Sequence, residues 1–204
     1  MKKLKILSVL LGGLMALGSL SSCGDDEPEV MKPASAKAEY VVNLSQDLLD
    51  AATVTIYYID GNGEQAQETA TATTWTKSVS FASLPTKAGF SVQPALKGEP
   101  TQEEYAIEAT GQMTVTVLDQ KGTTLGRPFV GSKQEVKGLL GPDFLGQYLT
   151  RIDIRVQQAK AVAADGTLTD TTITWGGNAD DNDNDPNRDT EVNNGGATGT
   201  TRGE

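Results

Sequence analysis

The stretch that most limits how this chain can fold is Tyr105 to Leu118. Tyr105, Ile107, Ala109, Gly111, Met113, Val115 and Val117 occupy its alternate positions. A repeat of two puts all seven on one side of an extended strand, whereas a helix would scatter them around its circumference. A strand of this length with one apolar side calls for a sheet packed on a second layer. Gly111, in the middle of the run, predicts a bend or bulge.

Shorter segments repeat the theme. Glu39 to Leu44 reads as a strand with Tyr40, Val42 and Leu44 on one face, and Ser45 to Asp50 as a short turn or helical loop whose two leucines plug one end of the core. Thr53 to Ile59 is β-branched and aromatic throughout, the strongest local strand signal. Asp60-Gly61-Asn62-Gly63 supplies residues that tolerate a positive φ, so Glu64 to Thr71 returns antiparallel as a polar edge. Trp75 to Phe81 alternates, with Trp75, Val79 and Phe81 inward. Pro85 to Gly89 turns the chain, and Phe90, Val92, Pro94 and Leu96 continue on one parity, Pro94 marking a bulge or an edge. Asp119 to Gly122 is another turn.

A helical interruption follows. Ser132-Lys133-Gln134-Glu135 has the spacing of a capping box, and Val136, Leu139, Leu140, Phe144, Leu145 and Leu149 recur at helical intervals. Gly138, Gly141 and Pro142 split the segment into two short pieces near Pro142. Ile152, Ile154 and Val156 then alternate with Arg151, Asp153 and Arg155 as a half-buried strand, and Asp165-Gly166 turns the chain so that Leu168 to Trp175 pairs back. The fold class expected is an antiparallel Ig-like or transthyretin-like β-sandwich over residues 37–175, mainly β, with one short helical segment. Ile56, Val79, Phe81, Val115 and Ile154 should meet in one core, with residues 132–149 covering an end or face.

The two ends read differently. Lys2, Lys3 and Lys5 precede an apolar run of fifteen residues, Ile6 to Leu20, which ends in Ser21, Ser22 and the single cysteine, Cys23. A membrane-spanning helix needs ~20 apolar residues, so the run suits a secretory signal over residues 1–22. Leu20-Ser21-Ser22-Cys23 resembles the bacterial lipobox. That resemblance implies cleavage between Ser22 and Cys23, a diacylglyceryl group on the Cys23 thiol and an acylated amine. Two or more chains hold a protein firmly at a bilayer where one does not. Residues 23–36 form a flexible acidic tether, and Asp25, Asp26, Glu27 and Glu29 resemble the export signal of surface lipoproteins of Bacteroidota-type bacteria. Residues 176–204, with seven acids and one valine, are expected to be a disordered acidic tail. The segment Ser45 to Leu84 also resembles a module of small uncharacterised lipoproteins of that group, on Ser45-Gln46-Asp47-Leu48-Leu49-Asp50, the Thr53 to Tyr58 strand with Asp60-Gly61-Asn62-Gly63, and Trp75-Thr76-Lys77 with Leu84-Pro85. It implies an extracytoplasmic β-sandwich on the outer membrane and brings no activity or site with it.

Composition removes whole classes of chemistry. The chain has no histidine, which excludes Ser-His-Asp and Cys-His nucleophiles, HExxH zinc sites and imidazole proton shuttles. Its formal charge is −10; loss of the three leader lysines leaves 14 basic residues against 27 acids, or −13. A surface of that sign disfavours nucleic acid, which needs clustered Lys and Arg. With Cys23 lipidated no disulfide can form within the chain, so stability rests on the core. No cofactor is expected.

Three groups of residues could carry function. Asp181, Asp183 and Asp185, followed by Asp189 and Glu191, have the spacing of a calcium loop, although Pro186 stands where such a loop turns on glycine and Val192 where its last acid belongs; a solvated tail is the competing reading. Tyr57, Tyr58, Trp75 and Trp175 could stack on sugar rings, Tyr58 and Trp75 foremost, or pack as core and rim. Glu103, Glu104, Asp143, Asp153 and Asp170 could supply the two acids of a glycosidase, yet acids in turns and on outer strand faces are ordinarily solvated. The expectation is a non-catalytic, lipid-anchored surface module for binding, adhesion or assembly, holding a protein or glycan. A glycan-capture accessory of a polysaccharide-uptake system and a carboxylate-based glycoside hydrolase are the alternatives.

Overall fold

The computed structural model describes residues 31–176. The leader, Cys23, the acidic run after it and Asp181, Asp183, Asp185, Asp189 and Glu191 lie outside the described residues. Ten strands and two helices occur among the described residues: β1 (Pro33–Leu44), α1 (Gln46–Ala51), β2 (Ala52–Ile59), β3 (Gln65–Thr69), β4 (Thr74–Phe81), β5 (Thr86–Leu96), β6 (Tyr105–Asp119), β7 (Phe129–Val130), β8 (Gln134–Leu140), α2 (Pro142–Arg155), β9 (Gln157–Val162) and β10 (Leu168–Asp170). They build two antiparallel sheets. One runs β4-β1-β6-β7, with β8 also on β6; the other runs β10-β9-β5-β2-β3.

The strand β6 organises the first sheet as its alternation requires. All seven residues of the apolar parity are buried, and β1 pairs with it over nearly its whole length. Tyr40, Phe81, Phe90, Ile56, Ile107 and Met113 are the bulk of the interior between the sheets. Tyr40 joins the two layers. The β2–β5 ladder ends at Tyr58 and Phe90, and at the next position the Tyr40 hydroxyl donates to the Ile59 carbonyl (3.2 Å) and accepts from the Gly89 N–H (3.3 Å). Burial pushes the Tyr40 pKa up, so it remains the neutral phenol that can do both.

Gly111 causes no register shift against β1, whose pairing runs straight through it, and it is the last β6 position paired with β8. Its role is steric, since a Cβ there would lie 2.5 Å from Phe90 Cε2. Residues 33–36, expected as tether, belong to strand β1, because β1 extends along the end of β6. Thr86 to Gly89 belong to β5, not to a turn. Pro94 pairs with Val54 on one side and lies beyond the end of β9 on the other, which makes it a local edge. Leu96, on the same parity, is 40% exposed.

The largest departures lie between 132 and 156. Residues 134–140, expected as helix, form β8, because a fifteen-residue β6 offers them seven consecutive pairing positions. Pro142 starts a helix instead of splitting one: with Gly141 as N-cap it occupies the first turn, where its missing N–H costs nothing. The single helix α2 continues through residues 152–155, which the charged alternation had suggested were strand. Its buried residues, Leu145, Leu149 and Ile152, recur at helical spacing, with buried Val156 following. Ile154 therefore points outward at 70% exposure and takes no part in the core, whereas Ile56, Val79, Phe81 and Val115 do. Ser45 caps α1 through Oγ, and Leu48 and Leu49 are buried as expected.

Candidate functional site

The two aromatics singled out for stacking, Tyr58 and Trp75, sit together with ring centroids 5.6 Å apart, but around a carboxylate. Glu68 of β3 accepts from the Tyr58 hydroxyl (3.0 Å), Trp75 Nε1 (2.8 Å) and Lys77 Nζ (2.6 Å). Lys77 Nζ also lies 5.0 Å from the Tyr58 ring centre. The hydrogen bonds from Lys77 and then Trp75 hold Glu68 below the usual carboxylate range, and the Glu68 bond raises Lys77. Since β3 and β4 are edges of different sheets, this cluster closes one side of the sandwich. Gly61 adds to it, for a Cβ there would lie 2.9 Å from the Ser80 carbonyl. An edge strand crossed by a charge and a neighbouring turn is a poor template for another strand. Tyr58 is buried and its polar end is engaged, so the cluster is structural. Sequence reasoning passed over Glu68 and Lys77, although both stand on inward parities: Glu68 faces Ile56, and Lys77 lies between Trp75 and Val79.

The opposite side of the sandwich holds a groove of about 580 Å³, within the usual range of ligand sites. It exists because β6 has two short partners rather than one long one. β7 pairs with it at Thr114 and Val115, β8 from Gly111 backward, and the Gly131–Lys133 connection bows outward between them. Gln158 of β9 fills the gap: its Oε1 accepts the Met113 N–H (3.0 Å) and its Nε2 donates to the Ser132 carbonyl. Gly131 donates to the Met113 carbonyl (2.8 Å), and a Cβ on it would sit 2.4 Å from Gln158 Oε1, so a larger residue there would push the Gln158 amide out of the gap.

Lys160, next but one along β9, places Nζ 2.5 Å from Asp170 Oδ1 and 4.6 Å from the Phe129 ring centre. The outer wall is the segment after β10, which does not keep pairing as far as Trp175 but crosses the second sheet. Thr171, Thr172, Ile173 and Trp175 of that segment line the groove, with Gln134 and Gln157 opposite. Trp175 and Asp170, both among the candidates, line this groove, and the structure brings them together with Lys160, Phe129 and the glutamines, none of which the sequence had marked.

The other acids are dispersed. Asp143 and Asp153 are ten residues apart on α2, about 15 Å by helical rise, wider than the ~9.5 Å limit of a glycosidase pair. Glu103 and Glu104 are exposed between β5 and β6, and Asp170 is the one carboxylate lining the groove. Asp153 is unusual: Oδ1 is buried with no hydrogen-bond partner, and burial pushes its pKa up to about 6. Among the described residues no group of three or more acids is placed to hold a metal ion. A second cavity, about 670 Å³, lies among the turns at 61–63 and 82–85 and the end of β9, with Lys87 as its one charged lining residue.

Taken together, the groove can hold a ligand by hydrogen bonds and aromatic contact, and its one acid and one base are already paired. No protein-family model, curated protein or solved structure matches the chain.

Proposed function

We propose that this protein is a non-catalytic binding module, tied by acyl chains on Cys23 to the outer membrane and facing the cell exterior, and that the groove between β9, the β7–β8 connection and the Thr171–Trp175 segment is where it holds its ligand. The observation that carries the reading is the groove's lining: an aromatic wall and uncharged hydrogen-bonding side chains, with Asp170 neutralised by Lys160. Hydrolysis of a glycoside needs two acids with separated pKa values across a cleft, and this cleft offers one. The lipobox motif supports the address, and among the described residues no helix is long and apolar enough to cross a membrane.

Two measurements test the two halves. Cys23→Ser cells should release the protein from the membrane fraction, and protease added to intact wild-type cells should remove it. Retention of the variant would overturn the anchor. For the groove, ligands captured from immobilised polysaccharide and peptide panels should bind Trp175→Ala much more weakly than wild type. Equal binding would place the site elsewhere, and turnover of a labelled polysaccharide abolished by Asp170→Asn would make the protein an enzyme.

A further inference from the structure

We infer that the groove takes an uncharged saccharide chain, and that Gln65, which does not line it, sets its affinity by clamping the backbone on both sides of Trp175. This rests on the groove being the ligand seat. The clamp is a single side-chain amide on the edge strand β3: Gln65 Nε2 donates to the Thr174 carbonyl (2.9 Å), and the Gly176 N–H donates to Gln65 Oε1 (2.9 Å). A neighbouring strand would bracket a residue in the same way. No ladder pairing holds the segment beyond Asp170, so these two bonds do that work.

Close approach to the sheet completes the seat. A Cβ on Gly89 would lie 3.0 Å from Ile173 Cδ1. At Gly176 the φ of +83° favours glycine, and the residue lies against the Gln93 amide and the Tyr57 hydroxyl, a would-be Cβ falling 3.3 and 3.4 Å from them. The indole that walls the groove is therefore positioned from across the sheet.

Ligand class follows from the wall's chemistry. Lys160 and Asp170 cancel each other, and the chain's charge of −10 opposes polyanions. The remaining polar groups are hydroxyls and side-chain amides, which donate and accept, as sugar hydroxyls do. Gln134 Nε2 donates to the Ser132 hydroxyl (3.0 Å) and more weakly to its carbonyl (3.4 Å), and Gln157 Nε2 to the Ile154 carbonyl (3.0 Å), which leaves each Oε1 as an acceptor. The face of Trp175 suits the C–H side of a sugar ring, while Lys160 Nζ covers one face of Phe129. A peptide would look for an open strand edge, and β10 covers β9 at Lys160–Val162 while Gln158 fills the gap at Met113.

The test uses the full mature chain labelled with 5-fluorotryptophan, Trp175 being assigned with Trp175→Phe. Without ligand, Gln65→Ala should shift the Trp175 fluorine resonance toward its solvent-exposed position and speed Gly176 amide exchange by about tenfold or more, the scale of one or two net hydrogen bonds. Gln65→Glu, which keeps the acceptor and loses the donor, should fall between. Neutral gluco-, manno-, galacto- and xylo-oligosaccharides, anionic oligosaccharides and a random peptide library are the probes. At least one neutral series should bind, about tenfold more weakly to Gln65→Ala. An unchanged Trp175 signal in Gln65→Ala overturns the clamp. Binding only of peptides or anions, sensitive to Trp175→Ala, overturns the saccharide and leaves the groove. If no probe is sensitive to Trp175→Ala, the groove reading itself fails.

Discussion

Asp153 should destabilise the native protein at neutral pH. Its Oδ1 is buried on α2 with no partner, and its pKa rises from 3.8 to about 6 through burial. The folded state therefore binds the proton more tightly than the unfolded one. The stabilisation this gives is complete below the unfolded value of 3.8 and is lost as pH climbs through about 6. A full shift of that size corresponds to ~3 kcal/mol at pH 7, at ~1.36 kcal/mol per tenfold change in acid constant. The side chain is only half-buried, so solvent screening reduces this to ~1–2 kcal/mol. Asp153→Asn, similar in shape and uncharged, should raise the urea midpoint at pH 7 by the corresponding amount with an unchanged m-value, and should gain almost nothing at pH 4. An equal gain at both pH values would refute the reasoning, as would no gain at pH 7: the first would mean that packing rather than ionisation is at work, the second that the carboxylate is solvated.

Other substitutions test the joints of the sandwich. Glu68→Gln weakens three hydrogen bonds to a carboxylate whose pKa is lowered; its contribution is present above the unfolded value of 4.5 and lost as pH falls, and because the side chain is 39% exposed and solvent-screened the variant should cost up to ~1 kcal/mol at pH 7 and little at pH 3 by chemical denaturation. Tyr40→Phe leaves the Ile59 carbonyl and Gly89 N–H unpaired in the interior, and should cost ~1–3 kcal/mol with faster exchange of the Gly89 amide. Gly111→Ala overpacks against Phe90 and should cost ~1–3 kcal/mol; Phe90→Leu in the same chain should recover part of it, and strict additivity would show that the two residues do not share that space.

The fold was legible wherever one period ruled. β6, β1, β2 and β4 each bury one face, and their parity predicted which residues do so because a strand offers only two faces. Legibility failed between 132 and 156, where both periods fit the same letters. Val136, Leu139 and Leu140 suit a helix, yet those residues pair with β6, whose fifteen residues outrun β7 and leave positions open along its edge. Local capping spacing is worth about 1 kcal/mol, less than a seven-residue ladder with buried Val136. The reverse happened at Ile152 to Val156. Alternating charges suggest a strand, but Val92 donates to the Val156 carbonyl exactly where β9 begins, so the helix has to end there, and its buried stripe fits no other period.

The groove was harder to read for a different reason. Its aromatic wall, Trp175, is held by Gln65, more than a hundred residues earlier in the chain, and its floor depends on Gln158 reaching Met113 and Ser132. A glutamine on an edge strand looks the same in sequence whether it faces water or clamps a distant backbone. Glycine carries more information, because it marks close approach: Gly89, Gly131 and Gly176 each stand where a side chain would collide or strain. Gly131 lines the groove, Gly89 lies behind its Ile173, and Gly176 follows its Trp175. In the sequence Gly89 read as part of a turn and the other two carried no reading, so only Trp175 and Asp170 pointed to the site. At Gly89 the close neighbours include the Gln158 and Ala159 backbone, and at Gly131 and Gly176 they are side chains. Gly89→Ala, pressing on the Gln158 carbonyl, Ala159 and Ile173, should therefore disturb the β5–β9 ladder and the Trp175 segment together, whereas Gly131→Ala, which meets only the Gln158 side chain, should disturb the groove floor and leave Trp175 in place.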